Sequence, residues 1–532
     1  MFIFLCGLCV LGGERFNPCL AEEPLANENL QGLYVRSIEQ TLRLPPEQID
    51  LGIAALIVSE SWSNGVSGRR YQQQLDDMAI EIRNRLKEKD IPVGIGAIPV
   101  INNYLFEEMK FSTIDKADDP YDLFLHSVID RRRGYCLSLS ILYLAIGERL
   151  GLPLYGVVVP GHFFVRYDDG KIRFNIETTS KGQSAGDDEY IKKFNVPRDN
   201  AAIYMTNLNK MQTLGCFFNN LGNVYHETGN IDQAMAALQW AVYINPSLAE
   251  SRLNLGNIYM QKERIDDAIA EYQAAARINP KDAMVHNNLG SAYQKKQWFN
   301  DAVSEYTSSI RLEPNNVNTY RNLASTYCKL SQFAEARTTL VQAINIEPKN
   351  PVLFCELGDI YVQSGRSDEA ISRYEKALSL KPDYAEAYFG LGCSYNKLGQ
   401  PDNEIKSYLK ALEIKPDMIS AILNLANAYF AKSDYDAAIE YYIKGIKVAP
   451  ADARFYYNLG AAYANKGSLE QAYSAYSKAA ELDPKMAEAH LGLAIVSYHL
   501  KNYDKAEKHL RTAQELGATI DPNLASAIER KK

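Results

Sequence analysis

An excess of basic charge is the first thing this chain lacks. Its 57 Lys and Arg stand against 65 Asp and Glu, a net charge of −8, which argues against a nucleic-acid partner. Long apolar runs are scarce. Residues 2–12, FIFLCGLCVLG, are too short to cross a bilayer as a helix. A polar stretch follows, ending Cys19-Leu20-Ala21 before Glu22-Glu23. This suits a signal peptide, residues 1–21, with export to the periplasm or envelope and any membrane association confined to that leader. No Lys or Arg precedes the run and Glu14-Arg15 breaks it early, so a start shifted from the true one, and a cytoplasmic protein, is the alternative. Cysteine is sparse as well. Once the leader is removed, Cys136, Cys216, Cys328, Cys355 and Cys393 remain, and an odd number leaves at least one thiol unpaired. The last four lack the close spacing of metal ligands. Asp118-Asp119-Pro120-Tyr121-Asp122 reads as a turn entering a helix, so no metal is assigned and no cofactor is implied.

What the chain has is periodicity. Pro246, Pro280, Pro314, Pro348, Pro382, Pro416, Pro450 and Pro484 follow one another at intervals of 34 residues. Each unit has an apolar residue at its seventh position, Gly or Ala at the eighth, usually Tyr at the eleventh and mostly Ala at the twentieth, as in Leu255, Gly256, Tyr259 and Ala268. Small residues let two helices approach, and proline ends the second helix before the next unit starts. The pattern is that of tetratricopeptide repeats, nine of them across 215–520, with 521–532 as a C-terminal tail or cap. No unit buries its apolar face alone, so the expectation is one all-α superhelical solenoid with an inner groove that binds partners. Any chemistry must lie upstream, in residues 22–214.

That upstream region begins helical. Leu75, Met78, Ile82 and Leu86 recur at helical spacing, and further helices are expected over 47–60 and 98–109. Arg132-Arg133-Gly134-Tyr135-Cys136 then opens a helix that Gly151 and Pro153 stop. A thiol in the first turn faces free amides and the positive end of the dipole, and three arginines precede it, an environment suited to a nucleophile. A buried small residue at a helix start is the alternative reading.

Downstream, strands His162–Asp168 and Lys171–Glu177 flank Asp169-Gly170, which calls for a two-residue type I′ turn. Closed by Asp168 and Lys171, that turn pairs Tyr167 with Ile172, Val165 with Phe174 and His162 with Glu177, β-carbons roughly 5 Å apart. The same register sets Arg166 against Arg173, an unfavourable like-charge pair. Cys136, His162 and Glu177 together form the set needed for acyl transfer through a thioester. A core histidine paired with a structural glutamate accounts for two of the three.

At Asn102-Asn103-Tyr104-Leu105-Phe106-Glu107-Glu108, Arg132-Arg133-Gly134, Arg149-Leu150-Gly151-Leu152-Pro153 and Pro160-Gly161-His162-Phe163-Phe164-Val165-Arg166, the chain resembles the transglutaminase-like superfamily, in particular a small bacterial branch often joined to tetratricopeptide repeats. The resemblance implies a papain-like α+β fold in which Cys, His and acid correspond to Cys136, His162 and Glu177. Many members of that branch lack the cysteine, which is present here, and the third residue of the superfamily is often Asp rather than Glu.

Position six of the repeats' first helices reads Asn220, Asn254, Asn288, Asn322, Asn424 and Asn458 in six units, and position nine adds Asn223, Asn257 and Asn427. Positions three apart share a face. Such a ladder offers donors and acceptors to an extended peptide backbone; solvated polar residues typical of the repeat are the alternative. Three functions are compatible with all this: a cysteine hydrolase or transferase acting on protein amides, an inactive binding scaffold, and an assembly factor for an envelope complex.

Overall fold

The computed structural model describes residues 37–63, 65–196 and 204–531; the leader lies outside them. Two compact units divide at Lys296 and Gln297.

The first unit is built around helix Cys136–Leu150, in which Leu137, Tyr143, Ala145 and Ile146 are fully buried. Gly151, at φ 75°, closes it. Such a buried, apolar helix gains its stability from packing rather than from amphipathicity. It packs against helices Leu51–Trp62 and Gly68–Glu88 and against the first two strands of an antiparallel sheet. Asp50 starts the helix Leu51–Trp62 by accepting a hydrogen bond from the amide of Ile53 at 2.8 Å. Leu75, Met78, Ile82 and Leu86 are buried on helix Gly68–Glu88. The helix expected over 98–109 runs from Ala97 to Asn102 and continues to Glu108 as a π-helical turn.

The sheet has three strands, Leu154–Val159, His162–Asp168 and Arg173–Ile176, in sequence order. The turn Pro160-Gly161, with Gly161 at φ 69°, sets His162 opposite Val159. The second hairpin departs from the register expected. Asp168 pairs with Arg173, Tyr167 with Phe174, Arg166 with Asn175 and Val165 with Ile176, a slip of two residues. Asp169 Oδ1 caps the longer loop by accepting from the amides of Lys171 and Ile172. The physical reason is charge. The slip removes the Arg166–Arg173 confrontation, gives Arg166 Nε the amide oxygen of Asn175 at 2.7 Å, and places Asp168 3.0 Å from the Arg173 guanidinium. A two-residue slip leaves every side chain on its original face.

The first repeat helices belong to the same compact unit as this sheet. The Trp62 ring packs on Phe218 and Tyr225, Lys210 pairs with Glu148, and Lys116 with Glu227 at 2.9 Å.

Eighteen helices follow one another from Lys210 to Glu515 among the described residues, all of 13 to 18 residues, before a last helix Pro522–Glu529. The eighth-position glycine has a definite task. A β-carbon on Gly256 would stand 2.5 Å from the Tyr272 ring, and one on Gly392 2.3 Å from Tyr408. Tyr272, Tyr374, Tyr408 and Tyr442 are buried almost completely. Their hydroxyls end on the ninth position of their own repeat, at Asn257 (2.7 Å), Asp359 (2.6 Å), Cys393 (3.6 Å) and Asn427 (2.7 Å). A buried phenol without an acceptor is costly, so Asn427→Leu is expected to destabilise the second unit by about 1–3 kcal/mol. Urea denaturation of the full chain measures it.

Candidate active site

Cys136 is the first residue of its helix, after the cap residue Tyr135. Ser138 Oγ fixes that turn, accepting from the Tyr135 amide at 2.9 Å and donating to the Asp122 carbonyl at 3.0 Å. Arg131, Arg132 and Arg133 are exposed, and Arg131 is turned to Asp122 at 3.1 Å.

His162 opens the middle strand and Glu177 follows the last residue of the third. Glu177 therefore lies beyond the final ladder pair, Val165–Ile176, and bridges instead to Gln183. Its side chain still reaches the histidine: His162 Nε2 and Glu177 Oε2 lie 2.7 Å apart. The two residues sit together by side-chain reach rather than by cross-strand pairing. Glu177 is also the cap of a short 3-10 turn, its Oε1 accepting from the Thr179 amide at 3.1 Å and hydroxyl at 2.6 Å. Ser140 and Thr178, 3.0 Å apart through their hydroxyls, tie this turn to the Cys136 helix. Asn102 ties it to the motif upstream, donating to the Gly182 carbonyl at 3.0 Å while accepting from Tyr143 at 2.9 Å.

Burial acts most strongly on His162 and disfavours its charged form. Hydrogen bonding to Cys136 and to Glu177, with the charges of both, outweighs it and pushes the imidazole up to about 9. Burial likewise opposes ionisation of Glu177, but His162 and Thr179 overcome it and hold the carboxyl below its ordinary range. His162 and Glu177 thus meet directly, and Cys136 acts on the same imidazole. All three are largely buried, Cys136 being 5% exposed.

Two supports of this pair have no counterpart in the motif-level reading. Tyr190 donates to Glu177 Oε2 at 3.0 Å, and the Phe194 ring lies 4.7 Å from the His162 ring at an interplanar angle of 5°. Both come from the short helix Asp187–Lys193 and the residue after it. The nearest sequence signal is its acidic start and aromatic 190/194 spacing.

The groove asparagines find partners within the repeats. Asn257 accepts from Tyr272 and from Asn288 (2.8 Å), Asn254 donates to Asn219 (3.2 Å), and Asn220 to the Cys216 carbonyl (3.0 Å). Asn424 donates to Tyr408 at 3.3 Å, and Asn427 accepts from Tyr442 and Asn458. Asn223 and Asn322 are half-buried. Among the described residues, no group of three or more His, Cys, Asp or Glu side chains is placed to hold a metal ion, and no helix is long and apolar enough to cross a membrane.

Residues 69–211 match the family model described as transglutaminase-like superfamily, and tetratricopeptide-repeat models match segments between 222 and 399. The chain carries a transglutaminase-like domain followed by tetratricopeptide repeats. Residues 386–530 match the model described as cilia and flagella-associated protein 70 C-terminal domain. Among curated relatives, a UPF0162 protein of Xylella fastidiosa strain 9a5c is 27% identical over 216 residues, 38% of this chain and 75% of that protein. Its counterpart from strain Temecula1 is 31% identical over 128 residues, 23% of this chain and 44% of the relative. F-box only protein 21 of Mus musculus is 36% identical over 83 residues, 15% of this chain and 13% of its own length. Solved structures similar to the chain include MamA of Desulfovibrio magneticus RS-1, with 24% identity, 31% and 94% coverage and a TM-score of 0.30. A tetratricopeptide repeat protein of Parabacteroides merdae gives 19%, 47% and 98%, and 0.38. The transglutaminase-like domain is α+β, and the remainder is an all-α repeat scaffold of the kind that binds proteins.

Proposed function

We propose that this repeat scaffold carries a thiol-dependent amide hydrolase or acyl transferase acting on protein or peptide substrates. What supports it is the His162–Glu177 contact at 2.7 Å, on an imidazole whose charged form both Glu177 and the Cys136 side chain favour, with Cys136 opening the neighbouring helix. With Nε2 engaged by the carboxylate, Nδ1 is the ring nitrogen left for the sulfur. The sulfur attacks an amide carbonyl, forming the S–C bond as the carbonyl pair moves onto oxygen, and the Cys136 amide, a free donor of the first helical turn, faces that oxyanion. As the C–N bond breaks, the imidazolium gives its proton to the departing nitrogen and a thioester remains. Water or an amine then loses a proton to the neutral imidazole while adding to the thioester, and sulfur leaves.

Labelling tests this directly. Burial pushes Cys216 and Cys355 up to about 12, and raises Cys328 and Cys393 as well. At pH 7 iodoacetamide is expected to modify Cys136 at least about tenfold faster than any repeat cysteine, with His162→Ala removing the preference. A second reading, an inactive domain kept for packing and partner binding, draws on the near-complete burial of Cys136. Equal modification of all five cysteines, read by peptide mass spectrometry, would favour it.

A further inference from the structure

We propose that Tyr190 and Phe194 are positioning residues that hold the His162–Glu177 pair in alignment, an inference that rests on the acyl-transfer reading above. Pairing with the middle strand does not orient the carboxylate, because the ladder ends at Val165–Ile176, one residue before Glu177. Its side-chain partners must do so. Oε1 is occupied by Thr179, and Oε2 is shared between His162 and the Tyr190 hydroxyl. A carboxylate receiving four hydrogen bonds has little freedom to rotate away from the imidazole.

Tyr190 is itself fixed. Only 3% of its surface is exposed, and its ring stacks on Phe164 at 4.0 Å and 23°. Phe194 lies one turn further on, 6.0 Å from Tyr190, and covers the face of the imidazole, with Lys193 Nζ 5.1 Å from the Phe194 ring centre. Four rings therefore run in series, Phe164, Tyr190, Phe194 and His162, from the sheet interior to the reacting group. A flat ring at van der Waals contact limits rotation of the imidazole and excludes water from that face. The short helix that bears Tyr190 and leads into Phe194 is attached to the middle strand by the Arg166–Asp187 ion pair at 2.7 Å. Val196, buried among Val157, Val159 and Phe164, anchors its far side.

The test uses the full chain and two readouts. Tyr190→Phe keeps the ring and its stacking but removes the donor. A carboxylate that loses a donor to its charged form becomes a stronger base, so the acid limb of the iodoacetamide profile at Cys136 moves up by roughly one pH unit. The His162 Cε1–H titration followed by NMR moves in the same direction, by roughly half a unit or more. Phe194→Leu, which removes the flat cover, lowers the labelling plateau about tenfold, and Phe194→Trp restores it to within about threefold. A Tyr190→Phe protein whose acid limb and His162 midpoint both coincide with the wild type's overturns the Tyr190 role. Phe194→Leu labelling like the wild type overturns the Phe194 role. Should wild-type Cys136 label no faster than the repeat cysteines, the acyl-transfer reading falls, and the NMR midpoint still decides whether Tyr190 governs the pair.

Discussion

A burst of nitrophenol from an activated nitrophenyl ester at neutral pH is what the acyl-transfer proposal predicts for the wild type, and Cys136→Ser is expected to abolish it, a loss on the order of a thousandfold or more in acylation. The far-UV spectrum should not change, because Ser fills the same volume at the helix start. His162→Ala loses on the order of a hundredfold to ten-thousandfold, since the proton carrier is gone while the nucleophile remains. The pH dependence follows from the two shifts. Glu177, held below its ordinary range, stays ionised through neutrality, and His162, held near 9, stays charged up to that value. Each also contributes to stability. Because the folded His162 binds its proton more tightly than the unfolded one, its contribution is complete below the ordinary imidazole value of about 6.5 and is lost as the pH rises through about 9. The Glu177 contribution is present above the ordinary carboxyl value and is lost as the pH falls below it. The ion pair therefore acts between mild acid and about pH 9, and a stopped-flow pH series of the burst should show that window.

The largest stability effect is expected at Arg166. This guanidinium is fully buried and donates to Asn175 at 2.7 Å, to the Met205 carbonyl at 2.8 Å and to Asp187 at 2.7 Å. Asn175 in turn donates to Asp187 at 2.7 Å and to the Ala185 carbonyl at 3.1 Å. Arg166→Met leaves these acceptors without their donor and detaches the helix that bears Tyr190. Removing one partner from a buried charged network costs about 3–5 kcal/mol. Lys in the same place offers one ammonium where a planar fork with three directions is needed, so it should not restore the loss. By contrast Arg173, largely exposed beside Asp168, should change stability by no more than about 0.5 kcal/mol when replaced by Met. Chemical denaturation compares the three variants. Partial retention of Cys136 labelling in Arg166→Met would show that the helix stays docked without its ion pair.

How much of this was legible in the sequence depends on the range of the forces involved. The 34-residue period and the small eighth residue declare the repeat, because each unit must solve the same packing problem. The place of Cys136 at a helix start and the glycine that ends that helix are local signals and appear as expected. The meeting of His162 and Glu177 was foreseen, but through a register that differs by two residues. The Asp-Gly turn preference is local and weak, and the charges of Arg166, Asp168 and Arg173, acting across the hairpin, overrule it. Tyr190 and Phe194 carry no motif signal beyond their four-residue spacing; only the fold brings them to the imidazole. The asparagines at positions six and nine look like a peptide ladder in one dimension, whereas Asn257 and Asn427, at position nine, also accept the hydroxyls of tyrosines buried 15 residues further on.

The measurement closest to the centre of this account is the titration of His162 in the full chain, read from its Cε1–H resonance in wild type and in Cys136→Ser. A midpoint raised to about 9 in the wild type and clearly lower in the variant is the expected result, since sulfur and carboxylate both favour the imidazolium. A midpoint near the ordinary value of about 6.5 in both proteins would contradict it.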